Sequence, residues 1–86
     1  MKIKKEFTLR NIGGESTLVP VGDTAESFKG LIKINDVGSY IWNNLEKVNT
    51  EEEIVSILVE NCGLELNEAQ KDVKDFLEYL KNVDIL

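Results

Sequence analysis

Residues 30 to 45 constrain this chain more than any other stretch. Gly30-Leu31-Ile32-Lys33-Ile34 is rich in aliphatic residues that suit a pleated, half-buried strand. Asn35 and Asp36 follow at once. Both are good helix N-caps, because their side-chain oxygens accept bonds from the orphan N–H groups of a first turn. Beyond them Val37, Ile41 and Leu45 recur at helical spacing, flanked by Tyr40 and Trp42. A strand that runs directly into a helix sets the angle between a sheet and a helical layer. Everything upstream of this joint reads as strand, and everything downstream as helix.

Upstream, Phe7 to Ile12 alternates, Gly13-Gly14 is a hairpin signal, and Ser16 to Val21 is a second strand. Pro20 lacks an N–H and is expected at an edge position or a bulge. Residues 22–27 read as a polar loop and Phe28 to Ile34 as the third strand. Downstream, the first helix runs from about Asp36 to Lys47. Thr50-Glu51-Glu52-Glu53 is a capping box that opens a second helix bearing Ile54, Ile57, Leu58 and Cys62, with Gly63 as its stop. Asn67 with Gln70 is a weaker box before a third helix bearing Ala69, Val73, Phe76, Leu77 and Leu80. The expected fold is α+β and winged-helix-like: a three-stranded antiparallel meander followed by three α-helices. Ile32, Ile34, Ile41, Trp42, Leu45, Ile54, Leu58, Val73, Phe76 and Leu77 are expected to share one core. Residues 1–86 form a single domain in this reading, with 1–5 a solvated tail.

Composition removes several function classes. A chain of 86 residues has room for one small core. A net charge of −6 argues against general affinity for nucleic acid or anionic membrane, which favour Lys/Arg-rich surfaces. The third helix interleaves Glu68, Asp72, Asp75 and Glu78 with Lys71, Lys74 and Lys81, and so would be a poor reader of duplex DNA. The chain has no His and one Cys, which rules out a structural zinc site and an internal disulfide. Cys62 reads as a buried small hydrophobe near a helix end. No Ser/His or Cys/His pair and no phosphate-cradling loop is visible, so no catalytic residues, metal or cofactor are expected. No apolar run approaches a membrane span, and the expected compartment is the cytoplasm.

The ordered series Leu9-Arg10, Gly13-Gly14, Leu18-Val19-Pro20, Gly30 to Asn35, Val37-Gly38, Ile41-Trp42, Leu45, Thr50 to Ile54 and Asp72 to Leu80 resembles the PqqD family, over roughly residues 7 to 86. That resemblance implies a small peptide-binding module, a RiPP recognition element. Such modules capture the leader of a ribosomally synthesised precursor peptide and present it to a modifying enzyme, often a radical-SAM maturase. It also implies that the leader lies beside the third strand, in a cleft walled by the third helix. The alternative from the residues alone is a winged-helix regulatory or protein–protein interaction domain that binds no leader.

The third strand carries the expected site. An outer strand keeps unpaired N–H and C=O groups, and Lys29 and Lys33 either protect that edge or flank a peptide that adds to it. The expected peptide-binding set is Lys29, Gly30, Leu31, Ile32, Lys33 and Ile34 from the strand. From the helix it is Lys71, Val73, Lys74, Leu77, Leu80 and Lys81. Lys29, Lys33, Lys71, Lys74 and Lys81 are half of the chain's ten basic residues. They are either scattered surface lysines or a basic rim for a leader with acidic residues between apolar anchors, whose apolar side chains would enter against Val73, Leu77 and Leu80.

Overall fold

A computed structural model describes residues 1–86. Strands β1 (Phe7–Ile12) and β2 (Glu15–Pro20) form a hairpin closed by Gly13-Gly14. Ile12 pairs with Glu15 across the turn, and the two glycines hold φ of 61° and 85°. Positive φ at both turn positions matches the right-handed twist of the strands, and glycine adopts it without strain. Strand β3 (Ile32–Ile34) pairs antiparallel with β2, giving the order β1-β2-β3. Pro20 therefore lies at the end of the central strand, not at an edge or bulge. The Val21 N–H donates to the Glu6 carbonyl at 3.1 Å. Alternation then turns the Pro20 nitrogen towards β3, which stops opposite Leu18, so the missing N–H costs no ladder bond.

Two stretches differ from the sequence expectation. The third strand is three residues long, because Gly30 at φ 102° breaks the extended path before Leu31. Phe28 instead turns back onto β1, edge to face with Phe7 at 5.1 Å between ring centroids. The loop at 22–27 contains a one-turn helix, α1 (Thr24–Ser27), tied to the sheet by the Glu6 N–H donating to Thr24 Oγ1 at 2.9 Å. Four helices are present in place of three.

Helix α2 (Asp36–Asn44) starts where the capping residues place it: Asn35 Oδ1 accepts the Gly38 N–H at 2.8 Å. A 3₁₀ turn over Leu45–Lys47 ends the segment. Helix α3 (Glu51–Cys62) is capped by Thr50 Oγ1, which accepts the Glu53 N–H at 3.3 Å. The Glu53 carboxylate reaches back to the Asn49 N–H at 3.3 Å, one residue beyond the partner that a capping box implies. Helix α4 (Leu66–Asn82) begins one residue before Asn67, so Asn67 sits inside the first turn and the expected second box does not form.

Helix α4 packs on α2 and α3, and thirteen buried apolar residues form one core. Ile32, Ile41, Leu45, Ile54, Leu58, Val73 and Leu77 belong to it as expected, joined by Leu18, Val48, Val55, Ala69, Leu80 and Ile85. Ile34, Trp42 and Phe76 are only partly buried at its margin. Cys62 is exposed rather than buried, because it extends the Ile54–Leu58 stripe into the last turn of α3, which nothing covers. Residues 1–5, expected as a solvated tail, lie against the body. Met1 and Ile3 pack on the core, and the Lys4 N–H donates to the Ile85 carbonyl at 2.6 Å. No helix is long and apolar enough to cross a membrane.

Candidate functional site

The open edge of β3 is the starting point. Because the Val21 N–H points to β1, alternation turns the backbone groups of Ser16 and Leu18 towards β3. Their partners Ile34 and Ile32 are thus the residues bonded into the sheet. The N–H and C=O of Lys33 face the other way, towards the unpaired side. Helix α2 starts three residues later, at Asp36, so the edge is too short to template a long ladder, and α2 closes one end of it.

Beside this edge lies a groove of about 360 Å³. Lys33, Ile34 and Asn35 form its strand side, Val37, Gly38 and Ile41 its α2 side, and Asp72, Asp75, Phe76 and Tyr79 its α4 side. Ile34, Val37 and Phe76 pack on the core yet keep part of their surface open. Gly38 draws α2 close to both neighbours. A Cβ placed there would sit 3.3 Å from Ile34 Cβ, from Phe76 Cε1 and from Asn35 Oδ1. Tyr79, on the groove wall, is 42% exposed. Ile12 and Leu66, which do not line the groove, are exposed to a similar degree, so it is the concave, half-apolar lining rather than exposure that marks the site.

Of the residues expected from sequence, only Lys33 and Ile34 line this groove. Leu31 is exposed and, with Lys29 and Gly30, lies in the loop that leads into β3. Ile32 is buried in the core. Val73, Leu77 and Leu80 are buried as well, on the face of α4 turned inward, and leave no surface for a peptide. The lysines do not gather at a rim. Lys33 Nζ pairs with Glu15 at 3.0 Å and Lys71 Nζ with Asp75 at 3.2 Å. Lys74 lines a different recess, with Glu51, Glu52 and Leu66, between α3 and α4. Lys81 is exposed in the last turn of α4 and lines none of these recesses.

The groove residues that sequence reasoning missed are Asn35, Val37, Gly38 and Ile41 on one side and Asp72, Asp75, Phe76 and Tyr79 on the other. Asp72, Phe76 and Tyr79 recur at helical spacing one position before Val73, Leu77 and Leu80. Two adjacent stripes thus ran along the same helix, and the outer one carried the aromatic rings. That pairing of an aromatic stripe with a fully aliphatic one was the available signal.

The chain matches the family model described as Coenzyme PQQ synthesis protein D (PqqD) over residues 17–86. Among solved structures it is similar to TbiB1 in complex with the TbiA(beta) leader peptide, with a TM-score of 0.71 and 28% sequence identity, covering 100% of this chain and 94% of that chain. No curated protein matches it. With the family match running from within β2 through α4 to the last residue, the chain belongs to the PqqD family.

Proposed function

We propose that the protein is a RiPP recognition element: it captures the leader of a ribosomally synthesised precursor peptide and presents it to a modifying enzyme, with no catalysis of its own. The observation that carries this reading is a partly open apolar groove directly alongside an unpaired strand edge. An extended peptide added to that edge bonds to the Lys33 N–H and C=O. Its alternate side chains then fall into the groove, over Ile34, Val37 and Phe76. The similarity to TbiB1, solved with a leader peptide, supports the same occupant.

The short edge divides the work. With three residues in β3, main-chain bonds fix direction and register more than they supply affinity. Affinity rests on apolar anchors, each worth about 1.5–3 kcal/mol if fully buried. In this reading the partner enzyme is a radical-SAM or other maturase, the former being the type the family resemblance most often implies, and the encounter takes place in the cytoplasm.

Titrating isotopically labelled protein with the leader of its precursor peptide, sought among short reading frames near this gene, tests the site. The expected result is chemical-shift change concentrated at Lys33–Asn35, Val37, Phe76 and Tyr79. Shifts confined to the Gly13-Gly14 hairpin or to α3, with β3 silent, would refute the groove. Incubation with the precursor alone is expected to leave its mass unchanged.

A further inference from the structure

We infer that the groove selects a leader with a lysine or arginine two residues from an apolar anchor, and that Asp72 receives that cation. The inference rests on the leader-binding reading above and adds the chemistry of the peptide.

Asp72, Asp75, Phe76 and Tyr79 stand at i, i+3, i+4 and i+7 of α4 and so share one stripe. The groove wall therefore carries carboxylates along its first turn and aromatic rings along its next. The two carboxylates are not equivalent. Asp75 is already paired with Lys71 at 3.2 Å. Asp72 takes part in none of the chain's three ion pairs, and it is partly buried where it lines the groove. A carboxylate at a half-covered apolar wall is screened less than one in open water, so an incoming cation gains more there than at a solvated rim.

No ion pair of the protein occupies that place. The Lys33 ammonium, the only basic side chain lining the groove, pairs with Glu15 at 3.0 Å rather than with Asp72. The net charge of −6 further favours a basic peptide over an acidic one during approach. This reverses the acidic leader expected from the lysine count.

The spacing follows from two repeats. Asp72 and Phe76 are four residues apart, about 6 Å along the helix axis. Next-but-one side chains on an extended strand are about 6.7 Å apart. A segment lying along α4 can thus place a cation at Asp72 and an apolar side chain on Phe76 and Tyr79 together. The ammonium or guanidinium donates to the carboxylate while the neighbouring anchor excludes water from the contact.

Fluorescence anisotropy with a labelled synthetic leader peptide that carries a lysine two residues from a leucine tests this. Asp72→Asn is expected to weaken binding about fivefold at low salt, the upper range for a partly exposed ion pair, and less than about twofold at 1 M salt. Replacing the leader's basic residue by Gln is expected to give the same loss on the unaltered protein, a comparison that needs no protein variant to fold. Asp72→Lys is expected to bind the original leader still more weakly and to recover when that leader residue is changed to Glu. If the leader shifts the groove resonances but binds Asp72→Asn and wild type alike at every salt concentration, the inference is overturned and the leader-binding reading stands. If the groove resonances do not move at all, both fall.

Discussion

Helix α4 has two working faces that meet along one edge. Ala69, Val73, Leu77 and Leu80 are buried among residues from β2, β3, α2 and α3. Asp72, Phe76 and Tyr79, about a quarter-turn away, stand along an open groove. The first face is aliphatic throughout and carries no polar atom that needs a partner. The second mixes carboxylate with aromatic side chains and leaves them incompletely covered. A single helix thus joins the part of the molecule that holds it together to the part that can meet a ligand. A substitution on one face should be separable from a substitution on the other.

The largest expected effect is on the buried face. Leu77→Ala removes a side chain that is 1% exposed, and should cost about 3–4 kcal/mol, measured from denaturant midpoints. A loss under about 1 kcal/mol would show that the core can collapse around the cavity and would blur the distinction between the faces.

Phe76→Ala comes next and should behave differently. Full burial would set its cost at about 3 kcal/mol or more, but the ring is only partly covered, so about 1–2 kcal/mol is expected. Leader affinity, in contrast, should fall about tenfold or more as an anchor surface disappears. Parallel denaturation and anisotropy measurements separate the two. Equal loss of stability in Phe76→Ala and Leu77→Ala would erase the contrast.

Gly38→Ala sharpens the comparison from the opposite wall. The added methyl meets three atoms at 3.3 Å, among them the Phe76 ring, which must shift. Overpacking outweighs the helix-propensity gain, for a net cost of about 1 kcal/mol. The Phe76 ring resonances should move while those of Leu80 do not.

The smallest effect is expected at Lys74→Glu. This residue faces the recess between α3 and α4, away from the groove. Leader affinity should change by less than about twofold, within the range of a distant, screened surface charge. A change as large as that of Asp72→Asn would bring Lys74 back to the peptide.

What could be read from the sequence alone is local. The Gly13-Gly14 turn, the Asn35 cap, the Thr50 cap and the Gly63 stop, at φ 67°, are decided by bonds and sterics within about four residues. The series of short motifs also sufficed to place the chain beside the PqqD family. The rotation of α4 was not local. Val73, Leu77 and Leu80 form one apolar stripe, and Phe76 with Tyr79 forms another beside it, so periodicity permits either to face the core. Contact with Ile41 and Leu58, far away in sequence, buries the aliphatic stripe and leaves the aromatic one at the groove. The same packing turns Lys74 away. Likewise, residues 28–31 read in sequence as the start of the third strand, but Gly30 at φ 102° and the docking of Phe28 on Phe7 take them out of the sheet. Chain-local chemistry determined where elements begin and end. Which side of each element meets the core, and which is left for a ligand, depended on side chains brought together only by folding.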